Sequence, residues 1–277
     1  MVRPFRVFAV PMLDVEFAQL SDPGTLRDHN EDYLGYILPK SSEEVRTRGW
    51  LFVLADGVGG QDKGEVASRL AVEKVTSGFR SAAAGEPPLT VLPRIIQAAN
   101  GQIYESGMAM MRGCTRMATT IVVCALRFDR ATVAHAGDSR CYLVRQGRAV
   151  AVTRDHTVTS EQMRLGLVSS KEATAAATSH LLTRSLGNEM FLSVETSEHQ
   201  IFAGDVLVLC SDGLHHSLSN LDIARVAGNG SDLAEAASEL VTLAKERDGS
   251  DNISVQLIRV RDVERVGMYR GRHYKIH

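Results

Sequence analysis

Three aspartates stand beside apolar runs that lie far apart in the chain. Asp56 follows Trp50 to Ala55 (WLFVLA) and precedes Gly57-Val58-Gly59-Gly60. Asp212 closes the run after VLVLC and precedes Gly213, and Asp251, followed by Asn252, stands just before another run. A fourth, Asp138, sits at a turn in Ala136-Gly137-Asp138-Ser139-Arg140. Carboxylates at the ends of core strands converge at the rim of a sheet, where they repel one another unless a cation holds them. Hard oxygen donors favour Mg²⁺ or Mn²⁺ over Zn²⁺. The glycines after Asp56 let the backbone turn sharply and bring a carbonyl toward such an ion. A single Asp-Gly is by itself an ordinary turn. The three acids and the glycine run together make a metal site and a set of turns equally good readings. In Arg27-Asp28-His29-Asn30-Glu31-Asp32, an arginine near paired acids suits a phosphate clamp, because its planar fork grips two oxygens. Composition alone favours a polar loop with a surface ion pair there.

The elements that must position these residues are legible from periodicity. Val15 to Leu20, Tyr33 to Leu38 and Trp50 to Ala55 read as strands, and Glu65 to Phe79 repeats its apolar residues at helical spacing. The Pro/Gly-rich break from Gly85 to Pro88 separates it from a second helix, Leu89 to Met111. Thr119 to Phe128, Ala131 to Ala136, Cys141 to Arg145 and Ala149 to Thr153 read as an antiparallel meander with tight turns. Val158 to Leu165 reads as a helix, and Val168 to Ser179 as a mobile surface segment. Strand signals return at Phe191 to Thr196, Val206 to Cys210 and Ile253 to Val260, with a helix from Leu233 to Arg247. That order predicts an α+β fold of two antiparallel sheets packed face to face with helices outside. The expected division is an N-terminal extension (1–14), a catalytic domain (15–261) and a C-terminal basic tail (262–277), read as solvated rather than as a binding patch.

Of 277 residues, 44% are hydrophobic and 23% charged, and 31 Lys+Arg against 33 Asp+Glu leave a net charge of -2. That balance gives no support to a nucleic-acid partner. No apolar run reaches the roughly 18 residues of a membrane span. The cysteines Cys114, Cys124, Cys141 and Cys210 form no CxxC pair, which fits a reduced, cytoplasmic protein. Zinc-hydrolase signatures (HxHxDH, HExxH) are absent, and GxxxxGK[ST] is absent too. His156 is left as a lone candidate ligand, against a structural role after a strand end.

The ordered series RDHNED, ADGVGG, ATTIVV, AHAGDSRCYLVRQG, TRDHT, LTRSLG, GDVLVLCSDGL and SDNISV resembles the motifs of the metal-dependent (type 2C, PPM) serine/threonine protein phosphatases of bacterial type. The resemblance runs from about Glu16 to Val260. It implies the family's α-β-β-α sandwich and hydrolysis of phosphoserine and phosphothreonine in proteins by a hydroxide bridging two Mg²⁺ or Mn²⁺ ions. Asp56 would bridge both ions and the Gly57 carbonyl would complete one of them. Asp212 and Asp251 would hold the other, and Glu31 and Asp32 match the family's acidic pair. Arg27 matches the phosphate-binding arginine and Asp138 the ligand of a third, weaker ion. Gly213 and Asn252 would shape the loops, and residues from about 155 to 179 would be the flap beside the site.

Three positions depart from the pattern. No histidine follows the Asp56-Gly57 motif, as in bacterial members. His216 stands where many members have an aspartate, which puts the third ion in question, and Ala118 replaces a usual glycine. The cysteines lack the Cys-x5-Arg spacing of a phosphocysteine route. The expected partners are phosphorylated proteins, with a cognate serine/threonine kinase and its substrates. The alternative is a pseudo-phosphatase, a binding module with the fold but no turnover.

Overall fold

The computed structural model describes residues 13–58, 63–109, 117–169, 181–230, 232–264, 266–269 and 272–275. In chain order the elements are β1 (Leu13–Asp22), β2 (Asp32–Ile37), α1 (Ser42–Thr47), β3 (Trp50–Asp56), α2 (Gly64–Ser81), α3 (Pro88–Ala109), β4 (Ile121–Arg127), β5 (Arg130–Ala136), β6 (Arg140–Arg145), β7 (Arg148–Ala151), α4 (Val158–Arg164), β8 (Glu195–Gln200), β9 (Val206–Cys210), α5 (Asp212–Ser217), α6 (Asn220–Ala227), α7 (Leu233–Arg247), β10 (Ile253–Val263), β11 (Val266–Tyr269) and β12 (Arg272–Lys275). They form two five-stranded sheets, β1-β10-β9-β6-β7 and β2-β3-β4-β5-β8, with every pairing antiparallel. This is the expected α-β-β-α sandwich. β11 and β12 pair with each other in the segment read as a tail.

The apolar strands are continuous because both their faces are covered, so alternation splits each run between two cores. In β3, Leu51, Val53 and Ala55 pack under α2 and α3, while Phe52 and Leu54 point between the sheets. Val206, Val208 and Cys210 of β9 face α5, α6 and α7, while Leu207 and Leu209 point inward. Cys124, Cys141 and Cys210 are buried free thiols, as expected of small apolar residues. Local signals fix the helix starts. Asp232 accepts from the amides of Ala234 and Glu235 to cap α7, and Ser219 with Asp222 forms a capping box on α6.

Two expectations are corrected. The four central strands are not one meander: β4 and β5 belong to one sheet, β6 and β7 to the other. The crossing is made at Gly137, whose φ of +115° is open to glycine and strained for other residues. The strand read at Phe191 to Thr196 lies at Glu195–Gln200 instead. It is a polar edge strand whose position is set by pairing with β5, while Leu192 and Val194 before it pack against the outer core. Helices α1, α5 and α6, six to eight residues long, were not read from the sequence. Gly59, Gly60, Cys114 and residues 170–179 of the flap lie outside the described residues.

Candidate metal centre

The sheet rims bring the predicted acids together. In register, Asp32 at the start of β2 sits opposite Asp56 at the end of β3. β9 and β10 are neighbours, so Asp212, which opens α5 after β9, and Asp251, just before β10, come to the same end. Asp138 arrives from the β5–β6 turn. Asp56 and Asp212 are within hydrogen-bonding reach of each other.

Burial is the main cause pushing the Asp56 carboxyl well above the usual range, and Asp32, Asp212, Asp138 and Asp251 add to it. Burial likewise raises Asp32 to about 7, with Ser254 and Ser211 opposing and Asp212 and Asp251 adding. Burial and then Asp212 raise Asp138 to about 8. Asp212 is raised as well, by burial first. These shifts mark carboxylates forced close together with little water. Asp32 is 7% exposed and both of its carboxylate oxygens are buried without a hydrogen-bond partner. The nearby hydroxyls are engaged elsewhere: Ser211 Oγ lies 3.4 Å from the Asn252 carbonyl and accepts from Ser254 N, and Ser254 Oγ pairs with Ser21. A buried, unpartnered carboxylate among other acids is a donor set that fits a hard divalent cation.

Glu31 stands slightly apart. Burial raises it, and the charges around it are Arg27, Glu65, Asp251 and His29. Arg27 donates from Nη2 to Asp251 Oδ2 at 2.8 Å, with both side chains well exposed, so the guanidinium reaches the rim of the acid cluster. Gly57 donates its amide to the Glu31 carbonyl, and a Cβ there would lie 2.5 Å from the Gly64 backbone. Thr119 Oγ1 donates to the Asp56 carbonyl at 2.7 Å, and Asp56 N donates to Thr120 Oγ1. The end of β3 is thereby fixed at its last residue.

Asn252 organises the loop that carries Arg27. Its Oδ1 accepts from Glu31 N at 2.8 Å, and its Nδ2 donates to the carbonyls of Pro23 and His29. A Cβ on Gly213 would lie 2.3 Å from the Asn252 carbonyl. Asn252→Ala breaks three buried bonds and is expected to cost about 2–3 kcal/mol. It should also raise the KM for a phosphorylated substrate through a displaced Arg27; an unchanged melting temperature and KM would contradict this.

His216, in the position of an aspartate, has Nδ1 3.7 Å from Asp212 Oδ2. His156 is not alone. Among the described residues, His135, His156 and Glu195 place one donor atom each within 4.8 Å of one another. Sequence reasoning missed His135 and Glu195, whose strand positions carry no motif. This triad is already neutralised: Arg154 Nη2 is 2.9 Å from Glu195 Oε2, Arg184 Nη1 is 3.3 Å from His156 Nε2, and the imidazoles stack at 4.6 Å. Among the described residues no three of the aspartates form so compact a group. Two ions roughly 3.5–4 Å apart need a wider donor set than one ion does.

The sandwich and its acid rim define a class, and comparison with known proteins agrees. Residues 24–253 match the family described as protein phosphatase 2C, to which the chain belongs. The serine/threonine phosphatase Stp of Listeria welshimeri is 32% identical over 257 residues, covering 91% of this chain and 96% of that protein. The solved serine/threonine phosphatase of S. agalactiae is 32% identical with a TM-score of 0.79, covering 90% of this chain and all of that one. The catalytic domain of the phosphatase PstP, solved in complex with two manganese ions, is 30% identical with a TM-score of 0.75, covering 90% and 99%. The protein is a metal-dependent protein serine/threonine phosphatase of the bacterial PPM type. Among the described residues no helix is long and apolar enough to cross a membrane.

Proposed function

We propose that this phosphatase uses two Mg²⁺ or Mn²⁺ ions held by Asp56, Asp212, Asp251, Asp32, Glu31 and the Gly57 carbonyl. The observation that carries this reading is the buried Asp32 carboxylate, unpartnered and in register with Asp56. When bound, the ions supply a water acidified to hydroxide near neutral pH and neutralise phosphoryl charge. The chain's own part is positioning. Asp56 would be the shared ligand, Arg27 would orient the phosphoryl group by its planar fork, and Asn252 and Gly213 hold the loops. Arg27 donates to Asp251 at 2.8 Å, which holds its guanidinium beside that acid. Asp138 would be the ligand of a third, weaker site, and His216, standing in place of a carboxylate, lies beside Asp212. The catalytic unit spans residues 15–261.

The substrates are phosphorylated proteins in the cytoplasm, with a serine/threonine kinase as the opposing enzyme. A pseudo-phosphatase has no observation in its favour: every primary ligand position is filled. Phosphothreonine and phosphotyrosine peptides of one sequence, assayed side by side over a Mn²⁺ titration, test the reading. We expect turnover to need Mn²⁺ and kcat/KM to favour phosphothreonine by on the order of tenfold or more, about 1.4 kcal/mol. Equal use of phosphotyrosine would contradict the substrate class, and no turnover at any metal concentration would restore the binding-module reading.

A further inference from the structure

The turn that carries Asp138 is gripped from two sides by neutral imidazoles. His156 is fully buried after β7. Its amide donates to the Gly137 carbonyl at 3.0 Å, and its Nδ1 accepts from Gly137 N at 3.2 Å. A backbone N–H can only donate, so Nδ1 is the bare nitrogen; Nε2 then carries the proton and faces Glu195 Oε2 at 3.2 Å, with Arg184 Nη1 beside it at 3.3 Å as a neighbouring charge and not a hydrogen-bond donor. The same residue closes the base of the flap: its carbonyl accepts from Thr183 N, and its neighbours Thr157 and Val158 pair with Leu182 and Leu181.

His215 comes from α5, one helical turn after Asp212, and is 6% exposed. Its Nε2 donates to the Asp138 carbonyl at 2.9 Å, which leaves Nδ1 as a bare acceptor, buried and without a partner. A packing histidine would be expected to satisfy both nitrogens or to present one to water. Here the unsatisfied atom is tolerated on a ring whose other nitrogen holds the site turn. Both rings act on one dipeptide, His156 on the Gly137 amide and His215 on the Asp138 carbonyl. Three further bonds fix the same turn: Ser139 Oγ to Thr120 Oγ1 at 2.7 Å, and the two prongs of the Arg140–Asp155 pair.

We propose that His156 and His215 are positioning residues for Asp138, tying it to the flap base and to the Asp212 helix respectively. The inference rests on the reading above that Asp138 takes part in cation binding. It makes the third site a property of three elements at once, and it gives His215 a role that the ligand positions do not.

The two rings use opposite nitrogens, so their isosteres must differ. Asparagine places an acceptor where Nδ1 was, and glutamine places a donor where Nε2 was. Full-length protein is titrated with Mn²⁺, bound ion is read from the free-Mn²⁺ signal in electron paramagnetic resonance, and turnover of p-nitrophenyl phosphate is measured on the same samples. Asp138→Asn should weaken the weakest class of Mn²⁺ site on the order of tenfold or more, and His156→Ala and His215→Ala should do likewise. At 156, Asn restores the isotherm and Gln does not; at 215, Gln restores it and Asn does not. Melting temperatures identify any variant that fails to fold, and the isostere pairs then carry the comparison. Isosteres that behave alike at either position, or alanine variants with wild-type isotherms, would overturn the proposal while Asp138→Asn still shifts. An unmoved isotherm in Asp138→Asn would overturn both the role of Asp138 and the proposal.

Discussion

Asp56→Ala is expected to lower Mn²⁺-dependent kcat/KM toward p-nitrophenyl phosphate by about a thousandfold or more, equivalent to roughly 4 kcal/mol of lost transition-state stabilisation. Asp56 is the carboxylate whose shift draws on all four other aspartates of the cluster. Removing it takes away the shared donor rather than one of several. The fold should survive, because the backbone of Asp56 is held by Thr119 and Thr120 and its side chain packs no core. Asp251→Ala should also abolish turnover, while additionally freeing Arg27 from its 2.8 Å partner. A chelated wild type should match the Asp56 variant. Full activity in either variant, or in EDTA-treated protein, would sink the metal mechanism.

Chelated protein should lose stability as pH rises from 6.5 to 8. Folded Asp32 and Asp138 titrate near about 7 and about 8, against 3.8 ordinarily, with burial the leading cause in both. In that window the folded chain keeps protons that the unfolded chain has released, so raising the pH favours unfolding. Full stability is present below the ordinary carboxylate value and is lost progressively up to the folded value. Below about pH 7.5 a second effect of opposite sign enters. Burial depresses His135, His215 and His156 (the last to about 4), so the folded chain resists their protonation and loses stability as pH falls. At pH 6.5 those rings are still about half protonated in the unfolded chain, and they are neutral in both states only toward pH 8, so they offset part of the loss that the acids cause. The two aspartates amount to about 2 kcal/mol across the window and the three histidines offset about 1 kcal/mol of it, a net loss that lowers the melting temperature by about 2–3 °C. Mn²⁺ at pH 8 should raise the melting temperature and flatten its pH dependence, because a ligand that binds only the folded state stabilises it. A melting temperature in EDTA that is level from pH 6.5 to 8 would show that the acids are not crowded as described.

Much of this site was readable beforehand because it lies at strand ends, and strand ends are marked by where apolar runs stop. WLFVLA stops at Asp56 and VLVLC at Ser211-Asp212 because the next side chain meets the rim and not a core. Glu31 and Asp32 looked equivalent as adjacent acids. Pairing across β2 and β3 buries Asp32 against Asp56, while Glu31, just before β2, has Arg27 and Glu65 among its charged neighbours. The edge strand β8 was misplaced because its residues (ETSEHQ) are polar and half-exposed, so no apolar signal marks them. His135 and Glu195 were invisible for a related reason. Each is one residue in a strand, and only the β5–β8 register, which sets His135 directly opposite Glu195, makes them neighbours.

The sequence by itself determined the two-faced strands, the long helices, the series of acids at strand ends and the family that series resembles. These follow from local periodicity and chain order. The tertiary structure alone decided which acids share one dry rim and that the chain changes sheets at Gly137. It also decided that Asn252, His156 and His215 act on loops 19 to 229 residues away along the chain. Hydrogen bonds across such separations depend on where sheets pair and pack, and no local spacing encodes that.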